Sequence, residues 1–304
     1  MNQTCPCCGG HEFNVIGVTR DRHYRIEGDW SYGVCICCNL TQLVPMPTTE
    51  ELIKLYPSNF YAYSKNALHL DFLKTILKKT IFRTNRFLDP DFKKPGRILD
   101  YGCGTGWSMV NFSESGWDCL GIEPSLEAAS YGSRAHKLKI LNGTIHTIKE
   151  AIGQFDYIRS NHALEHDPDV RMTLNKLVLH LKPGGRITIG IPNASGLAYK
   201  IFGKYWWYFG TPVHTYCFGV EHMNKMLTNL GLTVERIRYV GNYTGILGSI
   251  QIYLNRNREN KISTDGFFIK FIPFIFIFQI VAIFLNYFQL GDAIEITARA
   301  DDAC

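Results

Sequence analysis

From Gly96 onward, short apolar runs alternate with segments whose apolar residues recur at helical spacing. This order predicts a parallel sheet covered by helices on both faces. Seven runs read as strands: Arg97 to Tyr101, Cys119 to Glu123, Lys139 to Asn142, Phe155 to Ser160, Arg186 to Pro192, Thr233 to Val240 and Ala293 to Arg299. Ser125 is a helix cap between them, and Lys182-Pro183-Gly184-Gly185 is a turn that stops a helix. Before this region the pattern differs. Residues 1–45 are rich in Cys, Gly and turn formers, with β-like pieces such as Phe13 to Val18. Thr48 and Glu51 form a capping box for a helix ending near Tyr56. The aromatic positions Tyr56, Phe60, Tyr61 and Tyr63 follow, and Leu68, Phe72, Ile76 and Leu77 predict a helix from Leu68 to about Phe87. The expected organisation is a β module over 1–45, a helical connector over 46–92 and an α/β domain over 93–301 that carries an apolar insertion over 241–292.

Within that insertion, Phe267 to Leu290 holds a single charge, Lys270, and is interrupted by Pro273, Gln279, Asn286 and Gln289. A bilayer-spanning helix needs roughly 20 mainly apolar residues, so length alone admits a span. A span would strand Ala293 to Arg299 on the far side of the membrane. The readings therefore rank as a buried or acceptor-covering element first, a membrane-contacting interfacial element second, and a span last.

Composition narrows the function classes. Hydrophobic residues make up 46% of the 304 and charged residues 19%, which excludes a disordered chain. The net charge of +5 is small for this length and comes with no long basic run, so nucleic acid is not the expected partner. The N-terminus shows neither a basic nor an apolar signal region, and the expected location is the cytoplasm, at the inner face of the membrane if 267–290 touches lipid. Six of ten cysteines fall in two clusters, Cys5, Cys7, Cys8 and Cys35, Cys37, Cys38. In a reducing compartment such clusters point to metal. Two Cys-x-x-Cys pairs, Cys5/Cys8 and Cys35/Cys38, are the expected ligands of a tetrahedral structural zinc (Zn2+), with Cys7 and Cys37 the alternative sulfurs in each knuckle.

The sharpest motif is Ile98-Leu99-Asp100-Tyr101-Gly102-Cys103-Gly104-Thr105-Gly106, an apolar strand running into three alternate glycines. A ligand lying against the backbone needs side chains out of the way there. Glu123, at the tip of the next strand, is placed to accept hydrogen bonds from ribose hydroxyls. A dinucleotide fingerprint would put another glycine where Trp107 stands.

On these motifs residues 96–240 resemble the class I methyltransferases, particularly the ubiquinone-biosynthesis-like and sugar-modifying branches. Asn161-His162-Ala163-Leu164-Glu165-His166 resembles the family's active-site loop after the fourth strand. The resemblance implies a Rossmann-like seven-stranded sheet that binds S-adenosyl-L-methionine, with the connector over 46–92 covering that donor. It places Asp100, Gly102, Gly104 and Gly106 on the methionine side, Glu123 on the ribose, and Thr144 and Ile145 near the adenine, with Asn161 also in the donor site. Asn142-Gly143-Thr144 stands where the family often has an acidic residue. A hydroxyl or carbon-acid acceptor calls for a general base, and His162, Glu165, His166 and His214 are the candidates. The run Tyr205-Trp206-Trp207-Tyr208-Phe209 is read as a wall of the acceptor pocket.

Some ribosomal RNA methyltransferases carry a compact N-terminal zinc ribbon, whereas 26 residues separate Cys8 from Cys35 here. The longer form resembles the N-terminal module of sugar methyltransferases. The implied function is methyl transfer to a small-molecule acceptor, a nucleotide- or lipid-linked sugar. The alternatives are an RNA methyltransferase and a zinc-bearing scaffold that binds the donor without transferring it.

Overall fold

Apolar Ile98 and Leu99 are buried on opposite faces of β4 (Arg97–Tyr101), as a strand in the middle of a doubly covered sheet requires. The computed structural model describes residues 3–24, 26–56, 87–257 and 267–302. The helix expected from Leu68 to about Phe87, save its last residue, lies outside the described residues, as do the aromatic positions Phe60, Tyr61 and Tyr63, and Cys304. Preceding β4 are β1 (Phe13–Thr19), β2 (Trp30–Cys35), β3 (Thr41–Leu43) and α1 (Thr49–Leu55). Thr48 and Glu51 cap α1 reciprocally, hydroxyl to amide at 3.2 Å and carboxylate to amide at 2.8 Å.

After β4 the chain alternates as the pattern predicts. It forms α2 (Val110–Glu114), β5 (Asp118–Glu123), α3 (Leu126–His136), β6 (Lys139–Asn142), β7 (Phe155–Asn161), α4 (Val170–Leu179) and β8 (Leu181–Pro192). It continues with α5 (Leu197–Phe202), β9 (Tyr216–Cys217), α6 (Val220–Asn229), β10 (Leu232–Tyr239), α7 (Ser249–Leu254), α8 (Phe267–Lys270), α9 (Ile272–Tyr287) and β11 (Ala293–Ala300). The large sheet has the order β10-β11-β8-β7-β4-β5-β6, with β4 to β8 mutually parallel and β11 antiparallel to both of its neighbours. The order reverses between β4 and β7, and in such sheets that crevice takes the ligand. Lys182 to Gly185 does not end a helix. Those residues bulge out of a continuous β8, because Phe155 pairs with Leu181 while Tyr157 pairs with Arg186.

A second sheet, β1-β2-β3-β9, is closed by two residues from far along the chain, Thr41 pairing with Cys217 and Gln42 with Tyr216. Cys5, Cys35 and Leu40 pack into the same apolar cluster as Leu99, Ile158 and Met223. His222 strengthens this junction. Its Nδ1 accepts the Gly219 amide at 2.8 Å and its Nε2 donates to the Cys38 carbonyl at 2.8 Å.

The segment between β10 and β11 inverts the usual helix pattern. Gln279 and Asn286, two of the polar interruptions, face inward: the Gln279 side-chain oxygen accepts the Tyr243 amide at 3.2 Å and the Asn286 amide group donates to the Gly241 carbonyl at 2.8 Å. Ile277, Ile280, Phe284, Tyr287 and Phe288 point outward, Phe284 being 61% exposed. No helix among the described residues is long and apolar enough to cross a membrane.

Just after this helix, Asp292 is 2% exposed, and one of its oxygens lacks a hydrogen-bond partner among the described residues. Burial pushes its pKa from 3.8 up to about 7. Between those values the folded chain holds a proton that the unfolded chain has released, so stability falls as pH rises through the window. We expect Asp292→Asn to raise the thermal unfolding midpoint at about pH 8 and to match wild type near about pH 4, where Asp292 is protonated in the fold. Equal midpoints at the higher pH would show that this carboxylate carries no penalty.

Candidate functional site

A cleft of about 1270 Å³ opens at the carboxyl ends of β4, β5 and β7, its outer side formed by Met46 to Tyr56. The glycine turn after β4 makes one wall. Gly102, Gly104 and Gly106 adopt φ values of +72°, +57° and +71°, the left-handed region that disfavours other residues. A Cβ on Gly102 would fall 2.3 Å from that of Ala163, so the β4 turn and the loop after β7 touch only because one of them is glycine. Gly106 does not reach the cleft surface. Its bare face packs toward Ile140, Leu138 and Met109 while it turns the chain into a 3-10 segment over Trp107–Met109.

Glu123 joins this wall to the next. One carboxylate oxygen accepts the Gly104 amide and the other the Ser125 amide, each at 2.8 Å. Burial raises its pKa, and those two amides pull it back. The Ser125 hydroxyl in turn caps α3 by accepting from the Ala128 amide at 3.2 Å. Asp100, 3% exposed, also lines the cleft, accepting a hydrogen bond from the Ser108 hydroxyl at 2.5 Å. Thr144, His146 and Thr147 face the cleft from beyond β6, whereas Ile145 turns into the core at 5% exposure.

The sequence reading missed Arg159. This residue stands in β7, 5% exposed, with its guanidinium 3.2 Å from Asp89 and 3.5 Å from Asp100, and 4.3 Å above the Phe87 ring. Burial disfavours its charge, but Asp100 and Asp89 more than offset this and hold its pKa above the ordinary arginine value. Burial likewise pushes the Asp100 pKa up, against the pull of Arg159 and Ser108. A single arginine in an apolar strand has no spacing signature, which is why periodicity did not find it.

At the other end of the cleft the four candidate base residues separate. Asn161, His162 and His166 line it, while Glu165 and His214 lie behind them. His162 Nδ1 is 3.0 Å from Glu165 Oε1. Burial lowers the proton affinity of His162, yet the hydrogen bond and charge of Glu165 outweigh this and leave its pKa raised. His166 and His214 meet edge to face at 4.5 Å, and their Nδ1 atoms donate to the carbonyls of Val213 and Tyr208 at 2.9 and 2.8 Å. Burial drives both pKa values down, to about 4 and about 3, so both rings are neutral. The aromatic run after β8 is not a cleft wall. Trp206 and Phe209 are fully buried against Tyr32 and Leu43, and Tyr208 stacks near His162 with ring centroids 6.2 Å apart.

Away from the cleft, Cys5, Cys8, Cys35 and Cys38 converge with all four sulfurs within 4.8 Å of one another. The Cys5–Cys38 and Cys8–Cys35 pairs are each at 3.5 Å. Sulfurs on a tetrahedral zinc with bonds of ~2.3 Å stand roughly 3.8 Å apart, so this set fits that ion. A Cβ on Gly10 would lie 3.2 to 3.4 Å from three cysteine sulfurs, so a larger residue would crowd the cradle. Cys37 is exposed, and Cys7 points to the His222 carbonyl at 3.9 Å.

A glycine turn at the switch point of a parallel sheet, with a carboxylate fixed at the tip of the neighbouring strand, defines an α/β protein built to hold a nucleoside-bearing ligand. The family follows from comparison with known proteins. Residues 74–237 match the model described as methyltransferase domain, and the chain belongs to that family. A ubiquinone biosynthesis O-methyltransferase of Nitrobacter winogradskyi is 26% identical over 140 residues, covering 45% of this chain and 53% of that protein. A trans-aconitate 2-methyltransferase of Deinococcus radiodurans is 32% identical over 98 residues, 32% of this chain and 38% of the relative. The chain thus spans about half the length of the first relative and less of the second. Among solved structures, a chain from the Haloferax volcanii complex of a methyltransferase with its activator superimposes with a TM-score of 0.50. It covers 75% of this chain and 89% of that one at 15% identity, which supports the fold alone.

Removing one partner of a buried ion pair leaves the other uncompensated. Arg159→Met should lower unfolding free energy by about 3–5 kcal/mol in denaturant titration, and adding Asp100→Asn should recover part of that loss. Unchanged stability in the single variant would show that Arg159 does not neutralise Asp100.

Proposed function

We propose that the cleft binds S-adenosyl-L-methionine and that the protein moves its methyl group to a small-molecule acceptor, a lipid- or nucleotide-linked sugar. The observation that carries this reading is Glu123, whose oxygens are locked by two backbone amides while the residue still faces the cleft. Each oxygen keeps a second lone pair for a ribose hydroxyl. Asp100 and the bare turn at Gly102 and Gly104 line the methionine side, and Thr144 and His146 flank the adenine. The donor supplies an activated methyl group on a sulfonium, so the protein's task is alignment and exclusion of water.

His162 is the general base in this reading. It combines a place on the cleft with a carboxylate partner. With Nδ1–H held by Glu165, the Nε2 lone pair accepts the acceptor's proton and Glu165 stabilises the cation that forms. Cys5, Cys8, Cys35 and Cys38 hold a structural zinc that fixes the N-terminal sheet. Four thiolates leave no open position for catalysis.

Replacing Glu123 by Ala removes a charge-assisted acceptor worth about 1.5–3 kcal/mol, or roughly a tenfold to hundredfold loss of affinity. Calorimetric titration with S-adenosylhomocysteine measures it, and an unchanged dissociation constant would remove the ribose assignment.

The outward apolar face of α9 supports the lipid-linked acceptor over the nucleotide-linked one. Ile277, Ile280 and Phe284 are each more than half exposed, Tyr287 is 80% exposed, and the exposed Lys270 precedes them. No residue of α9 lines the cleft among the described residues, so its role in this reading is to dock on a bilayer surface rather than to cover the acceptor. Wild type should float with vesicles containing anionic lipid, and Ile280→Asp/Phe284→Asp should not, while both bind S-adenosylhomocysteine equally. Wild type that stays in the soluble fraction would end the membrane reading.

A further inference from the structure

At the end of the cleft, His166 on its lining converges with Glu165 and His214 behind it. Glu165 stands in the 3-10 turn Leu164–His166 that follows β7, beside His166, and His214 comes from the chain after α5. One ligand-type atom from each lies within 4.8 Å of the others. We infer that Glu165, His166 and His214 form a second metal site, one that takes a divalent cation of the zinc class through two imidazole nitrogens and one carboxylate oxygen.

The hydrogen bonds around the three residues argue for it. A backbone carbonyl only accepts, so the contacts of His166 Nδ1 with the Val213 carbonyl and of His214 Nδ1 with the Tyr208 carbonyl put a proton on each Nδ1 and leave Nε2 as the ligand atom of each ring. The lone pair of each ring is then on Nε2. Histidine ligands are held in this way in metal sites generally, with the far ring nitrogen donating to a carbonyl or carboxylate that fixes tautomer and orientation. Glu165 is 1% exposed, and its two oxygens differ. Oε1 pairs with His162, and Oε2, also buried, has no hydrogen-bond partner among the described residues. A buried carboxylate oxygen with no donor is costly, and a cation shared with two imidazoles removes that cost.

The donor set selects the ion. Two imidazoles with one carboxylate suit zinc and its first-row neighbours, whereas magnesium and calcium prefer all-oxygen shells. Bonds of ~2.0–2.1 Å would bring the ligand atoms to roughly 3.3 Å apart, and the three already stand within 4.8 Å of one another. Three protein ligands leave a fourth position open, unlike the four-cysteine cluster. The ion would tie the loop that carries His162 to the turn over 210–214, with Glu165 bridging His162 and the metal. The inference stands apart from the donor assignment, because it requires only these three residues.

Tag-free full-length protein, incubated with excess zinc and desalted, tests it by elemental analysis. We expect two equivalents of zinc in wild type and one in Glu165→Gln and in His214→Gln, with S-adenosylhomocysteine binding retained as the measure of folding. Cobalt substitution separates the sites: the cysteine cluster gives intense thiolate-to-metal charge transfer, and the second equivalent adds only weak visible bands, which the two variants lose. One equivalent in wild type overturns the proposal even if the variants misfold, as does a second equivalent that survives in folded variants. Loss of donor binding by wild type would instead count against the methyltransferase reading and leave the metal count intact.

Discussion

The cleft exists because one buried carboxylate holds two turns together. Glu123 ends β5, and its oxygens reach back to the Gly104 amide and forward to the Ser125 amide. Turn amides that face a cleft need acceptors, and a carboxylate that is 5% exposed needs donors, so each satisfies the other. The parallel register sets this up: Tyr101 pairs with Ile122, which brings the ends of β4 and β5 level. With its oxygens so occupied, Glu123 presents only its remaining lone pairs to a ligand. Its orientation is therefore fixed before anything binds, and little ordering entropy is lost on binding.

A second constraint is charge. Two carboxylates, Asp89 and Asp100, approach the centre of the sheet, where the region around Phe87 and Phe112 is apolar. Arg159 answers both, and because guanidinium is planar it also lies over the Phe87 ring. Tyr157 adds a hydrogen bond to Asp89 at 2.8 Å, so one strand, β7, supplies both the cation and the donor. Around Arg159 two carboxylates thus face one cation, a small negative balance that suits a site for a cationic donor.

The amino-acid pattern made the large sheet legible because its central strands are short apolar runs bounded by glycine and proline. All seven were found, with ends displaced by a few residues, most at β8, where a bulge hid the true start. The glycine turn and Glu123 were equally plain, since a backbone approached by a ligand has few residue choices. What stayed hidden depends on contacts between distant segments. β9 is two residues long and exists only because Thr41 and Gln42 lie beside it. Trp206 and Phe209 looked like pocket residues because their position after β8 suits a pocket, but the N-terminal sheet covers them. His214 was found as a histidine, whereas its meeting with His166, 48 positions earlier, follows only from the fold.

The segment over 267–290 shows why mean hydropathy and orientation must be separated. Its composition suggested burial first, since few apolar helices tolerate water. Helix α9 satisfies its backbone internally, so the polar residues decide which side faces in. Gln279 and Asn286 are seven positions apart, close to two helical turns, and thus share one face. Both bond backbone groups just after β10, the Tyr243 amide and the Gly241 carbonyl, which would lose these partners if the helix turned them outward. The apolar majority is left facing outward by default. Hydrophobicity alone does not orient such a helix; two hydrogen-bonding side chains do, and the surface they leave exposed is the one a partner must cover.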